Sequence, residues 1–261
     1  MADQLGFDEE TAARLEKLYS AGDVVRRRRL VLEALDAAPG ESILDVGCGP
    51  GFYVADLAGA VGDGGRVTGV DSSPAMLAGA AGRTTAQTNV TLLEGSATDL
   101  PLDDGAVDAV ISVQVFEYVE DVDRALDEVH RVLRPGGRMV LWDIDWSTLS
   151  WYSDDPERMD RVMRSWDEHL ADPVLPRTLA ASMAGAGFEN VAARGHAFVN
   201  RDVGPDSYSG GIVPLVEDYV AGRGITADEA HEWRAELREL SEAGRYFFSV
   251  VQFCFAATRP E

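Results

Sequence analysis

Ile43-Leu44-Asp45-Val46-Gly47-Cys48-Gly49-Pro50-Gly51 is the stretch that decides how this 261-residue chain is read. An apolar run reaches Asp45 and then breaks into glycines at alternate positions. That pattern predicts a buried strand, a tight turn almost free of side chains, and a helix starting near Phe52. Glycine accepts positive φ and lets a ligand approach the backbone closely. A helix N-terminus then offers unpaired N–H groups. The segment therefore predicts a nucleotide-like cofactor site.

Two cofactor classes compete for that turn, beside a purely structural glycine turn with no ligand. A dinucleotide such as NAD expects Gly-x-Gly-x-x-Gly. Here the third glycine comes one position early and bulky Phe52 and Tyr53 follow. S-adenosylmethionine (SAM) suits Asp45 better. A carboxylate there can hold the ammonium group of a methionine moiety, whereas it repels a pyrophosphate.

Further signals follow in order. Arg66-Val-Thr-Gly-Val-Asp71 reads as a short strand ending in an acid. In a doubly wound sheet such an acid meets ribose hydroxyls, although alone it could simply cap a helix. Ser72-Ser73-Pro74 opens the next helix, with Met76 placed either against adenine or in the core. Val90 to Gly95 reads as a third strand, followed by a polar loop through Ser96, Ala97 and Asp99. Ala106 to Gln114 reads as a buried strand, and Val122 to Leu133 as an amphipathic helix halted by Arg134-Pro-Gly-Gly137. Arg138 to Trp142 follows as the fifth strand. The alternation over residues 42–143 predicts an α/β fold, with helices on both faces of a parallel sheet.

In that order, Leu44-Asp-Val-Gly-Cys-Gly-Pro-Gly51, Val70-Asp71, Asp99-Leu-Pro-Leu102, Val115-Phe-Glu-Tyr-Val119 and Leu133-Arg-Pro-Gly-Gly137 resemble the class I SAM-dependent methyltransferases. They are most similar to the small-molecule branch typified by quinone-biosynthesis enzymes. The resemblance covers about residues 40–145. It implies a doubly wound, Rossmann-like sheet of seven strands with the last antiparallel, SAM as cofactor and S-adenosylhomocysteine as product. It further implies that Asp45, Gly47, Gly49 and Gly51, with Cys48 in the same turn, line the methionine end. Asp71, Ser72 and Met76 would hold ribose and adenine, and Ser112 and Gln114 would border the amino group. The family usually places an acid after the glycine of the third loop. Here Ser96 and Ala97 stand there, so the Ser96 hydroxyl or Asp99 takes the adenine contact.

Composition bounds the rest. The length suits a single domain over 1–261. It divides into N-terminal helices (1–39), a SAM-binding core (40–145) and substrate-side additions (146–261). No apolar run approaches the roughly 18 residues of a membrane span, and no leader is evident, so the expected location is cytoplasmic. Two cysteines and four scattered histidines suggest neither a disulfide framework nor a zinc site. A net charge of −22 argues against nucleic acid. The one basic run, Arg26–Arg29, reads as the polar side of an N-terminal helix. The expected partner is a small-molecule acceptor, with the chain acting as a monomer or homodimer.

Residues 8–36 read as two helices around Gly22-Asp23, which in the methyltransferases they resemble fold over the cofactor. Tyr19 is then a wall near the methyl group or a helix-packing ring. Pro176 to Gly187 reads as a helix, Asn190 to Val199 as a strand and Tyr246 to Thr258 as the final strand. Residues 200–245, mostly two helices, form an excursion too long for a hairpin, expected as a lid over the acceptor. Trp146, Trp151, Tyr152, Trp166, Tyr208, Tyr219 and Trp233 concentrate in these additions and suit an apolar acceptor, or else close the lid's own core. Asp155 to His169 reads as a helix expected to overhang the strand tips, so a base on the acceptor would come first from His169 at its end, then Asp145, with Glu117 third. Asp143 and Asp145 leave a metal-assisted variant open, although no metal is expected. Outside methyl transfer, the alternatives are a NAD-dependent oxidoreductase and a non-catalytic SAM-binding protein.

Overall fold

The computed structural model describes residues 16–261. After a helical turn at 16–19, α1 (Gly22–Leu35) leads into β1 (Ser42–Val46), which is buried from Ile43 onward. Burial on both faces is the condition of a central parallel strand. Then come α2 (Phe52–Val61), β2 (Arg66–Asp71), α3 (Pro74–Arg83), β3 (Val90–Glu94) and β4 (Val107–Val113). A 3₁₀ turn at Phe116–Tyr118 precedes α4 (Val122–Val132) and β5 (Leu133–Trp151). The chain continues through α5 (Pro156–Asp167), α6 (Pro176–Gly185), β6 (Glu189–Asn200), α7 (Tyr208–Val220), α8 (Ala227–Glu242) and β7 (Phe248–Thr258). Side-chain caps start several of these helices, as their sequences require. Ser73 caps α3, Asp121 α4, Asp155 α5, Ser207 α7 and Thr226 α8.

The seven strands lie in the order β3-β2-β1-β4-β5-β7-β6. β1 to β5 pair in parallel, and β7 runs antiparallel to both β5 and β6. The strand order reverses between β1 and β4. Open sheets of this kind bind ligands beyond the carboxyl ends of the strands at that reversal. Two apolar clusters cover the sheet. One gathers α1, α2, α5, α7 and α8, together with Met76 of α3. The other gathers α4 and α6. Strand alternation sends Trp142 and Ile144 of β5 into the first and Leu141 into the second.

Two sequence expectations change. β5 does not stop at Trp142. It runs to Trp151 because β7 keeps pairing with it as far as Trp151↔Phe248, across an irregularity between Asp145 and Ser150. Asp143–Trp146 are therefore strand residues. The basic run is not all solvated: Arg27 is 2% exposed and shares the buried stripe of α1 with Val24, Val31 and Leu35. Neighbouring Arg28 does face outward, bonding Asp56 and covering the Phe52 ring. Of the first expected helix, residues 8–15 lie outside the described residues. Between β6 and β7, α7 and α8 lie against one another. Among the described residues no helix is long and apolar enough to cross a membrane.

Candidate cofactor cleft

The turn after β1 is fastened to the end of β2. Gly47 N and Cys48 N both donate to the Val70 carbonyl, at 2.7 and 3.0 Å. Gly47 has φ +69°, and a Cβ there would stand 2.3 Å from Val115 Cγ2. Only glycine lets the segment after β4 come this close. Gly51 has φ +80°, and a Cβ there would meet the Ala80 backbone at 2.8 Å, so glycine sets the approach of α2 to α3. Between them, Gly49 N donates to Asp71 Oδ2 at 2.8 Å, and Ser73 N donates to Asp71 Oδ1 at 2.9 Å. The carboxylate at the tip of β2 thus holds both the glycine turn and the start of α3.

A cleft of about 460 Å³ opens at the strand-order reversal. It brings together Tyr19, Gly47, Gly49, Asp71, Ser72, Met76, Ser96, Ala97 and Gln114 from the sequence prediction. Thr98, Val113, Val115, Tyr118, Val119, Glu120 and Asp121 complete the wall without having been assigned a role. Tyr118 to Asp121 lie in and just after the Val115–Val119 segment, which follows the buried strand ending at Gln114, and that was the available signal. Asp45, Cys48, Gly51 and Ser112 do not line the cleft. Gly51 is occupied by α3. The Cys48 thiol is buried against Gly69, and the Ser112 hydroxyl is turned to the Val46 carbonyl at 2.9 Å. The Ser96 hydroxyl pairs with Thr98 Oγ1 at 2.9 Å. It is Thr98, not Asp99, that joins it on the wall.

Asp45 stands just behind the turn, 1% exposed, and its Oδ2 has no partner among the described residues. Burial, and secondly the negative charge of Asp71, push its pKa up to about 8. Asp71 is raised by burial too, against the pull of its backbone N–H donors. Across the cleft, Gln114 adopts φ +56° and accepts from the Arg27 guanidinium, while its amide reaches Tyr208 of α7 at 3.4 Å. Glu117 Oε2 accepts from Trp146 Nε1 at 3.2 Å, and its Oε1 has no partner among the described residues. Asp143 Oδ1 accepts from Glu117 N at 3.4 Å. Burial drives both carboxyl groups upward, and for Asp143 the charge of Glu117 adds to it.

The two leading candidates for a base lie elsewhere. His169 does not overhang the strand tips. It is fully buried among Tyr118, Trp146, Trp166 and Tyr219, with Nδ1 against the Trp166 carbonyl. Burial lowers its pKa to about 4. Asp145 alternates onto the α6 side of β5, where it pairs with Arg177 at 2.9 Å and takes the Ser147 hydroxyl. That ion pair also removes it from any cluster with Asp143. Among the described residues no three His, Cys, Asp or Glu side chains converge as metal ligands would.

Comparison with known proteins places this geometry. A family model described as a methyltransferase domain matches residues 44–141, which run from β1 into β5. An uncharacterised 37.1 kDa protein from a Streptomyces fradiae transposon is 35% identical over 248 residues, covering 93% of this chain and 70% of that protein. A demethylmenaquinone methyltransferase of Staphylococcus epidermidis is 38% identical over 122 residues. That alignment takes in 47% of this chain and about half (51%) of the enzyme. The solved structure of Haemonchus contortus phosphoethanolamine N-methyltransferase 2, in complex with S-adenosyl-L-methionine, superposes with a TM-score of 0.65 at 17% identity. It covers 99% of this chain and 59% of that one, a likeness of fold. The matched segment contains the glycine turn and the acid-tipped second strand, and the sheet around it ends in an antiparallel strand. The chain belongs to the class I SAM-dependent methyltransferases.

Proposed function

We propose that the cleft holds SAM with its methionine end at Gly47–Gly49, its ribose over Asp71 and its adenine between Met76 and the Ser96–Thr98 loop. The methyl group then passes to O, N or C of a small, hydrophobic acceptor. The observation that carries this reading is the pair of buried carboxylates, Asp45 and Asp71, on either side of a turn whose backbone is bare. Such a site favours a cationic ligand, whose charge would draw Asp45 into its ionised form, and gives a pyrophosphate no counter-charge, which weighs against the oxidoreductase alternative. The fit extends to detail. Asp45 keeps an unpartnered buried oxygen at the turn, and buried polar atoms of that kind call for a donor. Among the described residues Asp71 accepts only backbone N–H groups, including those of Gly49 and Ser73 on different oxygens, and a carboxylate has about four acceptor sites, leaving capacity for hydroxyls.

SAM, when bound, supplies an activated methyl on a sulfonium. The chain's part is alignment and the exclusion of water. Tyr19 and Tyr118 line the cleft, and Tyr118 packs through His169 on the aromatic group of Trp146, Trp166 and Tyr219, which supports an apolar acceptor on that side. Residues 201–247, with α7 bonded through Tyr208 to Gln114, serve in this reading as its lid. If the acceptor is a hydroxyl, Glu117 takes its proton. Of the three candidates, it is the one carried by the segment after β4 whose Gln114, Val115 and Tyr118 line the cleft, and one of its oxygens has no partner among the described residues.

Titration calorimetry with S-adenosylhomocysteine and NADH tests the cofactor. S-adenosylhomocysteine should bind and NADH should not. Asp71→Ala should weaken the product cofactor by roughly tenfold or more, the scale of losing hydrogen bonds to a charged acceptor, while the variant still unfolds cooperatively. Unchanged affinity in Asp71→Ala would remove the ribose assignment. A panel of phenols, amines and carbon acids with radiolabelled SAM then tests transfer. Tight binding with no label moved favours the non-catalytic alternative.

A further inference from the structure

The two edges of the sheet differ in kind. β3 closes one side with 5 residues. β6 closes the other with 12, pairs with β7, and has no strand on its outer side among the described residues. From Ala192 to Asn200 it follows β7 residue for residue, and its irregularity is confined to the beginning, between Glu189 and Ala192. A long regular edge presents a row of unpaired N–H and C=O groups, a template for another strand. Shortness, proline, several charges or a bulge in mid-strand would guard it. β6 has no proline, and Arg194 is its one arginine, lysine or acid between Asn190 and Asn200.

Charge indicates what fits that edge. Asp and Glu outnumber Lys and Arg by 45 to 23, so two copies of the chain repel over most of their surface. Residues 189–201 reverse the balance, with Glu189 set against Arg194 and Arg201. Glu189 opens β6 and Arg201 follows its last residue. Both are exposed, and neither side chain has a partner among the described residues. A strand with an unpaired acid at one end and an unpaired base at the other complements itself when a copy runs antiparallel to it. With the two-fold axis at Gly195, Ala193 faces Ala197 and Glu189 of each copy reaches Arg201 of the other. Arg194 then faces His196, which is neutral at pH 7 because burial and the charges of Arg26 and Arg194 lower its pKa.

We propose that β6 is a dimer interface, at which two copies of the chain pair β6 to β6, antiparallel about Gly195, and double the seven-stranded sheet. The edge lies outside residues 44–141, the segment matched by the methyltransferase-domain model. The pairing does not depend on which ligand the cleft holds.

Sedimentation equilibrium of the full chain tests it. The wild type should show the mass of a dimer at about 100 μM and about 0.15 M salt. Val199 is 52% exposed, so Val199→Lys should leave each protomer folded while placing an ammonium beside the pairing edge. It should raise the dissociation constant by about tenfold or more. Arg201→Glu sets acid against acid at both ends of the paired strands and should weaken the dimer by a similar factor. Adding Glu189→Arg to it reverses both charges and should restore the wild-type constant to within about threefold. Far-UV circular dichroism checks that each variant is folded. A wild type with the mass of a monomer overturns the proposal without any variant. A dimer that neither Val199→Lys nor Arg201→Glu weakens overturns it too, since such a dimer uses another surface. Failure of the double change to rescue Arg201→Glu overturns the antiparallel register.

Discussion

At the scale of single residues, Asp45 sets burial against charge most directly. A carboxyl whose folded pKa is raised binds more protons in the native than in the unfolded chain between its two pKa values. Its ionisation therefore withdraws stability as pH climbs from about 4, the unfolded value, to the folded value of about 8. Asp45→Asn should flatten this slope, gaining about 3–4 kcal/mol relative to wild type at pH 8 compared with pH 5. Urea unfolding at the two pH values measures it, and a variant that loses stability in parallel with wild type contradicts it. The same logic makes cofactor binding proton-linked. An ammonium placed beside Asp45 lowers its pKa, so S-adenosylhomocysteine should release protons near pH 7 in wild type and fewer in Asp45→Asn, read from calorimetry in buffers of different ionisation enthalpy. Asp45, Gly47 and Asp71 are legible in sequence because backbone chemistry demands their types at those spacings. Arg27 is legible only in part. Its i, i+3, i+4 spacing with Val24, Val31 and Leu35 was available, but four consecutive arginines suggest a solvated face, and only packing shows which one turns inward. His169 was misplaced for the converse reason: a polar residue after a helix suggests a strand-tip overhang, whereas four rings enclose it.

At the scale of elements, β5 and β7 carry the additions. Trp142 and Gln252 are both fully buried, and Trp142 Nε1 donates to Gln252 Oε1 at 2.7 Å across the antiparallel pair. Gln252→Leu leaves an indole N–H without an acceptor inside the core. It should cost about 1–3 kcal/mol in urea unfolding. The double change with Trp142→Phe should cost less than the sum of the two single changes, because it removes both partners. Strict additivity would mean that the bond contributes nothing. Residues 133–151 also show why element ends were harder to read than element types. The Arg134-Pro-Gly-Gly137 breaker put the start of the strand at Arg138 and the apolar run put its end at Trp142, yet β7 lies alongside and extends the strand beyond Trp142. Pairing with a strand more than a hundred residues away in sequence is a tertiary effect that no local pattern carries. The helices α5 to α8, by contrast, begin at Asp, Ser, Thr or Pro positions that announce them.

At the scale of the whole molecule, one apolar cluster runs from Val31 of α1 through Ile43 of β1 to Val216 of α7 and Trp233 of α8. Core and additions share that cluster, so we propose that the described chain unfolds as one unit. A calorimetric scan should show a single transition with equal van't Hoff and calorimetric enthalpies, and two resolved peaks would make the 201–247 excursion a separate unit. The net charge of −22 acts on the same transition. Like charges repel more strongly in the compact state than in the expanded chain, and salt screens them over a Debye length that shrinks from about 30 Å at 0.01 M to near 3 Å at 1 M. Surface ion pairs such as Arg161–Glu229 and Arg234–Glu217 pull the other way, since the same screening weakens them, but exposed pairs contribute only about 0–1 kcal/mol each. Repulsion among the excess acids should win. The midpoint is therefore expected to rise as sodium chloride goes from 0.01 to 0.5 M at constant pH, and a falling midpoint would show that the ion pairs, rather than the unbalanced carboxylates, dominate the surface.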